Sequence, residues 1–237
     1  MLINPHDLIH NLDRLEEIEK ASLRLVVQAL YEYRETAAEI FRMESDLVAD
    51  IAEDITREAL DRLGMSKVDQ RLFGKVDYKR ARYLFHPEYA VKQALFVDSK
   101  AEKISGQNSA TLQTSQLSLT VRQFRAGQEI NEPGKLPAVV ILRGEPYITT
   151  TLFVKYNYED RGAEHLLKSI TVVALPNGML QARYNPDATD TIWLAGRNAP
   201  SRGEEFRVRL SFPRLRRKAP WRVQEIPMPP QPFVWKE

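Results

Sequence analysis

Cysteine is absent from all 237 positions, which removes disulfides, thiolate metal sites and a cysteine nucleophile from consideration. Long apolar runs are absent too. The longest, Leu136 to Leu142, contains Pro137 and falls far short of the roughly 20 residues a membrane helix needs. The N-terminus, MLINPHDLIHNLDRLEEIEK, has no basic start followed by an apolar stretch, so neither secretion nor membrane insertion is expected, and the expected compartment is the cytoplasm. There is no Gly-rich phosphate loop, no internal repeat and no visible Ser/His/Asp arrangement. His6 and His10 stand four apart without the glutamate that a zinc helix places after its first histidine, and His86 and His165 have no acid or serine partner nearby in sequence.

Glycine and proline are missing between His6 and Leu63. That gap is informative, because the stretch carries helical periodicity: Leu15, Ile18, Leu25, Ala29, Tyr33, Ala37 and Ile40 form one stripe, and Leu47, Ile51, Ile55, Ala59 and Leu63 a second. Two long amphipathic helices follow, opened by Asn4-Pro5 as a cap with proline at the first helical position and closed at Gly64. A hydrophobic content of 43% with 28% charged residues is ordinary globular composition. The net charge of +2 hides an asymmetry: Asp7 to Arg62 holds 15 acids against 7 bases, and Arg197 to Arg222 holds 9 bases against 2 acids. A basic C-terminal surface suits a polyanion.

The chemistry concentrates between Lys75 and Lys103. The apolar run Ala94-Leu95-Phe96-Val97 ends in Asp98-Ser99-Lys100, and a second acid, Asp77, lies 21 residues earlier. His86-Pro87-Glu88-Tyr89 reads as a turn between two strand-like segments. A hairpin closing symmetrically about Pro87 and Glu88 pairs residues whose numbers sum to 175, placing Asp77 opposite Asp98 with Cβ atoms about 5 Å apart. Lys100, two residues on, shares the face of Asp98. Two facing carboxylates repel unless a cation lies between them, and hard oxygen donors in ones and twos suit Mg²⁺. With a lysine to orient and activate water, the constellation fits metal-assisted hydrolysis of a phosphodiester. The motif by itself is not specific, since Asp77-Tyr78-Lys79 repeats the Asp-x-Lys spacing and such a match also describes a solvated strand end.

Further along, Thr111 to Leu117 is helix-compatible, and could line a DNA groove with Gln113, Ser115 and Gln116 or form a surface helix. Ala138 to Leu142, Tyr147 to Tyr156 and Ser169 to Leu175 read as strands, the last two central because they carry little charge. In Phe206 to Phe212 apolar and polar residues alternate, so Arg207 and Arg209 emerge on one face, either as exposed edge-strand arginines or as two forks for guanine O6 and N7. Arg197 and Asn198 lie in a loop ten residues earlier and could also reach bases, while Arg214, Arg216, Arg217 and Lys218 are the expected phosphate contacts. The proline-rich tail from Ile226 reads as extended, with Phe233 and Trp235 able to pack on the body.

These residues resemble a family. VDYKR with Asp77, then LFVDSKA with Asp98 and Lys100, is similar to the divided acid and D-x-K signature of the PD-(D/E)xK nucleases, in the form carried by SfiI-like type II restriction endonucleases. AEDIT, TLQTSQL, LKSITVVALP, RYNPD, PSRGEEFRVRLSFPRL and APWRVQE resemble segments of that family in the same order, from about Leu15 to Glu225. Gln123 to Arg143 departs from the pattern, and the C-terminus is shorter. The resemblance implies an α/β fold, a PD-(D/E)xK core with a mixed sheet flanked by helices. One domain is expected over 1–237: a helical part at 1–64, a catalytic core at 65–176, a DNA-reading part at 177–225 and a tail at 226–237. It further implies Mg²⁺ held by Asp77 and Asp98, Lys100 as the activating amine, and Glu53 as a further acid from an N-terminal helix. Double-stranded DNA with GGCC-type half-sites in an interrupted palindrome, a homodimer or homotetramer, and a methyltransferase protecting the same site complete the implied picture. Two rivals remain at this point: a repair or recombination nuclease without a short target, and a catalytically idle DNA-binding protein.

Overall fold

A computed structural model describes residues 2–44, 48–64, 81–104, 108–162, 164–194 and 206–237. Asn4-Pro5 is a helix start as the sequence predicts, but of a short 3-10 helix rather than of the long one. The Asn4 side chain accepts from the His6 N–H at 3.2 Å and Pro5 opens the 3-10 helix Pro5–His10. Asn11 then caps the long helix α1 (Leu12–Met43) by accepting from the Arg14 N–H, and α2 (Val48–Arg62) runs on to Gly64, whose φ of +69° is a left-handed C-terminal cap. The apolar stripe of α1, including Ile18, Leu23, Val26, Leu30 and Phe41, is buried.

That stripe covers one face of a six-stranded sheet. Its strands are β1 (Arg82–His86), β2 (Val91–Lys103), β6 (Val139–Leu142), β7 (Glu145–Asp160), β8 (His165–Leu175) and β11 (Val223–Pro227). The order is β1-β2-β7-β8-β11, with β6 also paired to β7. β2 and β7 are parallel, aligned from Gln93 with Ile148 to Lys103 with Tyr158, and the other pairs are antiparallel. This is a mixed sheet. β7 is buried from Ile148 to Asn157, which agrees with the sparse charge that marked it as central.

The two faces have separate cores. Leu95, Leu152, Val154, Tyr156 and Val172 meet the helices, while Phe153, Val173 and Leu175 face a smaller sheet of β3 (Ser109–Gln113), β9 (Trp193–Leu194) and β10 (Arg207–Ser211) in the order β3-β10-β9. Helix α4 (Phe212–Lys218) continues from β10, a short helix α3 (Gln181–Tyr184) follows β8, and β4 (Val121–Arg125) with β5 (Gln128–Glu132) forms a separate hairpin.

Two expectations are corrected. The hairpin register sums to 177, not 175, because Arg82 faces Leu95 and His86 faces Val91. Ala90 adopts φ 51° and joins the loop, its N–H donating to the His86 carbonyl at 3.0 Å, so the turn runs from Pro87 to Ala90 and both of its extra residues, Tyr89 and Ala90, come from the β2 side. Thr111 to Leu117 is not a helix: its first part belongs to β3 and only Thr114–Gln116 forms a 3-10 turn. The tail starts out extended as expected, Ile226 and Pro227 ending the edge strand β11 (Val223–Pro227). Beyond it Phe233 and Trp235 pack on α1, Phe233 at 5.9 Å from the Tyr31 ring and Trp235 beneath the Arg24 guanidinium.

Candidate active site and nucleic-acid interface

β2 is buried through most of its length, and the alternation of the strand sends its polar end to two different neighbours. Ser99 turns to the helices, donating to Thr56 Oγ1 at 2.8 Å, which in turn meets the Tyr156 hydroxyl at 2.8 Å. Asp98 and Lys100 turn the other way, toward β3. Asp98 is 3% exposed, and its Oδ2 accepts from the Gln116 amide. Lys100 Nζ donates to the Thr111 carbonyl at 2.8 Å and stands 5.9 Å from the Phe153 ring. Burial pulls the Lys100 ammonium below the usual lysine range and Arg207 adds to that, against the opposing pull of Glu102 and Glu53. Three charged groups and burial thus act on the same amine: an acid on α2, an acid on β2, a base on β10 and the low-dielectric surroundings.

Next to Lys100 across the parallel ladder is Lys155. It is fully buried, with its Nζ on the Ser109 carbonyl at 2.8 Å and on Glu102 Oε2 at 2.5 Å. In the sequence Lys155 is a lone charge in an apolar strand and is not among the expected site residues. That isolation was the available signal, because a buried cation requires a paired site. Together Lys100 and Lys155 fasten the small sheet to the large one through successive outward carbonyls of β3.

The small sheet carries the DNA-reading candidates. In the β10–β3 register Arg207 lies opposite Gln113 and Arg209 opposite Thr111. Val208 and Leu210 are buried, Arg209 is exposed and donates to Ser109 Oγ at 3.1 Å, and Arg207 is half-buried. The Arg207 carbonyl accepts from Arg125 at 3.1 Å, and the Arg125 guanidinium sits 4.8 Å from the Phe206 ring, so the β4–β5 hairpin braces this strand. Gln116, expected in the groove, is turned inward to Asp98 and is 6% exposed; Gln113 is half-buried. On α4, Arg214 donates to the Trp193 carbonyl, Arg216 lies 3.8 Å from Glu225, and Lys218 lies 2.6 Å from Asp190. Arg214, Arg217 and Lys218 line a cavity of about 280 Å³ with Thr189, Asp190 and Thr191. Asp77, Arg197 and Asn198 lie outside the described residues.

Residues 25–226 match the family described as the type II restriction enzyme SfiI. The chain belongs to the SfiI family of type II restriction enzymes. It is a site-specific endonuclease of that family, and such enzymes generally need a divalent metal ion. The chain is 38% identical to the type II restriction enzyme SfiI of Streptomyces fimbriatus over 231 residues, covering 91% of this chain and 85% of the relative. It is similar in structure to tetrameric restriction endonuclease SfiI bound to cognate DNA, with a TM-score of 0.82 and 34% identity over 100% of this chain and 92% of that one. The restriction endonuclease BglI, in a crystal structure with its DNA recognition sequence, shares the fold at a TM-score of 0.76 and 17% identity, over 95% of this chain and 94% of that one.

Among the described residues no group of three or more histidine or acidic side chains gathers as a metal cluster, and Asp77 falls outside them. The residues present nonetheless fit a hard divalent cation: Asp98 is an oxygen donor steadied by a neutral amide, with an amine and a further acid close by.

Proposed function

We propose that this SfiI-family enzyme cuts double-stranded DNA at a GC-rich interrupted palindrome with GGCC-type half-sites, leaving 5′-phosphate and 3′-hydroxyl ends. Asp98, with Asp77 from the preceding segment, would hold Mg²⁺. When bound, the ion neutralises the oxygens of the scissile phosphate and makes its phosphorus more electrophilic. Lys100 orients and activates the attacking water in line with the leaving 3′-oxygen; the new bond forms from that water to phosphorus as the phosphorus–O3′ bond breaks. Its lowered proton affinity suits an amine that must release as well as hold a proton. Glu53 tempers the charge on Lys100 from α2.

Arg207 and Arg209 read guanines, with Gln113, Arg197 and Asn198 beside them, and Arg217 and Lys218 with Arg214 and Arg216 meet the phosphates. Two cuts in a palindrome need two sites related by the symmetry of the DNA, so the enzyme works as a homodimer at least. The tetramer seen for SfiI favours a homotetramer. A methyltransferase acting on the same target would protect the host, and the cytoplasm is where both would meet their DNA. No described helix is long and apolar enough to cross a membrane.

One observation carries the reading. The buried acid and the half-buried lysine of Asp98-Ser99-Lys100 share the face of β2 that meets the ribbon bearing Arg207 and Arg209. The test is Asp98→Ala. It is expected to lose cleavage in Mg²⁺ by several orders of magnitude while keeping specific binding in Ca²⁺; a variant that still cuts would move the site elsewhere.

A further inference from the structure

Asp98 is embedded in the sheet yet must offer its carboxylate at a fixed angle, and one group that touches it comes from neither β2 nor the DNA-reading strand. It comes from Gln116, in the 3-10 turn that ends β3. The side chain is used at both ends: Nε2 donates to Asp98 Oδ2, while Oε1 accepts from the Gln113 N–H at 2.8 Å. Because the carbonyl end is already taken by a backbone donor, the amide is locked with its N–H toward the acid. A neutral donor here steadies the carboxylate without neutralising it, which a lysine or arginine would do.

The turn itself is held from several directions. The Lys135 N–H donates to the Thr114 carbonyl at 2.9 Å, the Leu136 N–H to the Leu117 carbonyl at 3.0 Å, and the Gly134 N–H to the Leu119 carbonyl at 3.1 Å. From the other side the Gly178 N–H reaches Ser118 Oγ at 2.9 Å. Gly134 packs so close that an added Cβ would stand 2.2 Å from the Leu117 oxygen. A segment clamped this way transmits its position to Gln116, and the same segment continues β3, where Gln113 lies opposite Arg207.

We propose that Gln116 is a positioning residue for the cutting centre, setting the orientation of the Asp98 carboxylate toward its metal ion through an amide braced by the β3 turn. The proposal rests on Asp98 being a metal-holding residue of the proposed site. Gln116→Met removes both contacts at similar volume. Gln116→Glu keeps an oxygen for the Gln113 N–H but loses the donor to Asp98, so it separates a role in shaping the turn from a role in orienting the acid.

The experiment measures Mn²⁺ binding to the whole protein by calorimetry, specific binding in EDTA to a fragment carrying a site mapped with the unaltered enzyme, and single-turnover cleavage of that fragment. Both variants are expected to bind the fragment within about twofold of the unaltered enzyme and to cleave at least tenfold slower, with Mn²⁺ bound several-fold more weakly by Gln116→Met. Unchanged Mn²⁺ binding in Gln116→Met, or a Gln116→Glu variant that cleaves at full speed, overturns the proposal. Should Gln116→Met lose fragment binding or fold poorly, Gln116→Glu decides alone: slow cleavage with fragment binding intact supports the proposal, and any other result overturns it. Asp98→Ala, assayed alongside, keeps the two readings apart, because active Asp98→Ala removes the site itself, whereas inactive Asp98→Ala with fast Gln116 variants removes only the role of Gln116.

Discussion

At the scale of single residues, the most telling side chains are charges that the fold has taken out of water. Arg222 and Glu19 are both fully buried and paired at 2.6 Å, with Glu16 at 3.2 Å from the same guanidinium and the rings of Trp221 and Tyr184 each 4.3 Å away. Burial raises the Glu19 carboxyl, while Arg222 and the Asn177 N–H pull it back toward the charged form. Removing one partner strands the other, which costs about 3–5 kcal/mol, whereas replacing both by apolar groups can be near neutral. Arg222→Met is therefore expected to lower stability by about 3–5 kcal/mol in urea unfolding, and Glu19→Leu with Arg222→Met to recover most of that loss. Arg209 is the opposite case, exposed and lightly held. If it forks a guanine, Arg209→Ala should weaken binding to the mapped site by about 1–3 kcal/mol and relax the choice of base at one position, measured by titration against single-base variants. Equal losses on all duplexes would reduce it to a phosphate contact.

At the scale of elements, legibility follows how locally each element is determined. α1 and α2 were readable because periodicity, caps and the lack of glycine and proline all act within a few residues. β7 and β8 announced themselves by long apolar runs with little charge. β3 did not, because the polar–apolar alternation of Ser109 to Gln113 lasts only five residues, too few to separate a strand from a helix before its partner β10, far along the chain, is known. β11 was hidden for the same reason, its Val-Gln-Glu-Ile-Pro being strand-like only against the β8 edge. The Asp-x-Lys pair was legible, but the amide of Gln116 on Asp98 was not, since no sequence pattern states which tertiary neighbour a glutamine will find. The hairpin register slipped because one residue, Ala90, took a left-handed conformation that non-glycine residues rarely adopt. These clamped turns also make a prediction. Gly134→Ala must displace the Leu117 carbonyl, and overpacking of this kind typically costs about 1–3 kcal/mol. Thermal unfolding should detect that loss, and cleavage should slow because the strained carbonyl is one residue from Gln116.

At the scale of the whole molecule, the two sheets divide the labour. The large sheet, covered by helices on one face, supplies a rigid floor from which Asp98 and Lys100 project, and the small sheet set against the other face carries the arginines. Lys155, Lys100 and Gln116 are the polar ties between them. In the proposed site, reading and cutting are thus built on adjoining strands. If the enzyme assembles as SfiI does, two copies of the target should be engaged at once. A plasmid with two sites is then expected to be cut faster than one with a single site at equal enzyme, and light scattering should return four chains; equal rates and a two-chain mass would point to a simple dimer.

The central claim is that Asp98 and Lys100 form the cutting centre of a site-specific endonuclease. Digestion of a sequenced genome in Mg²⁺, with every fragment end sequenced, tests it most directly. The expected result is a discrete set of fragments with 5′-phosphate ends at one short interrupted palindrome, and no fragments from Asp98→Ala or in EDTA. A smear of ends without a shared sequence, or the same discrete fragments from Asp98→Ala, would contradict the account.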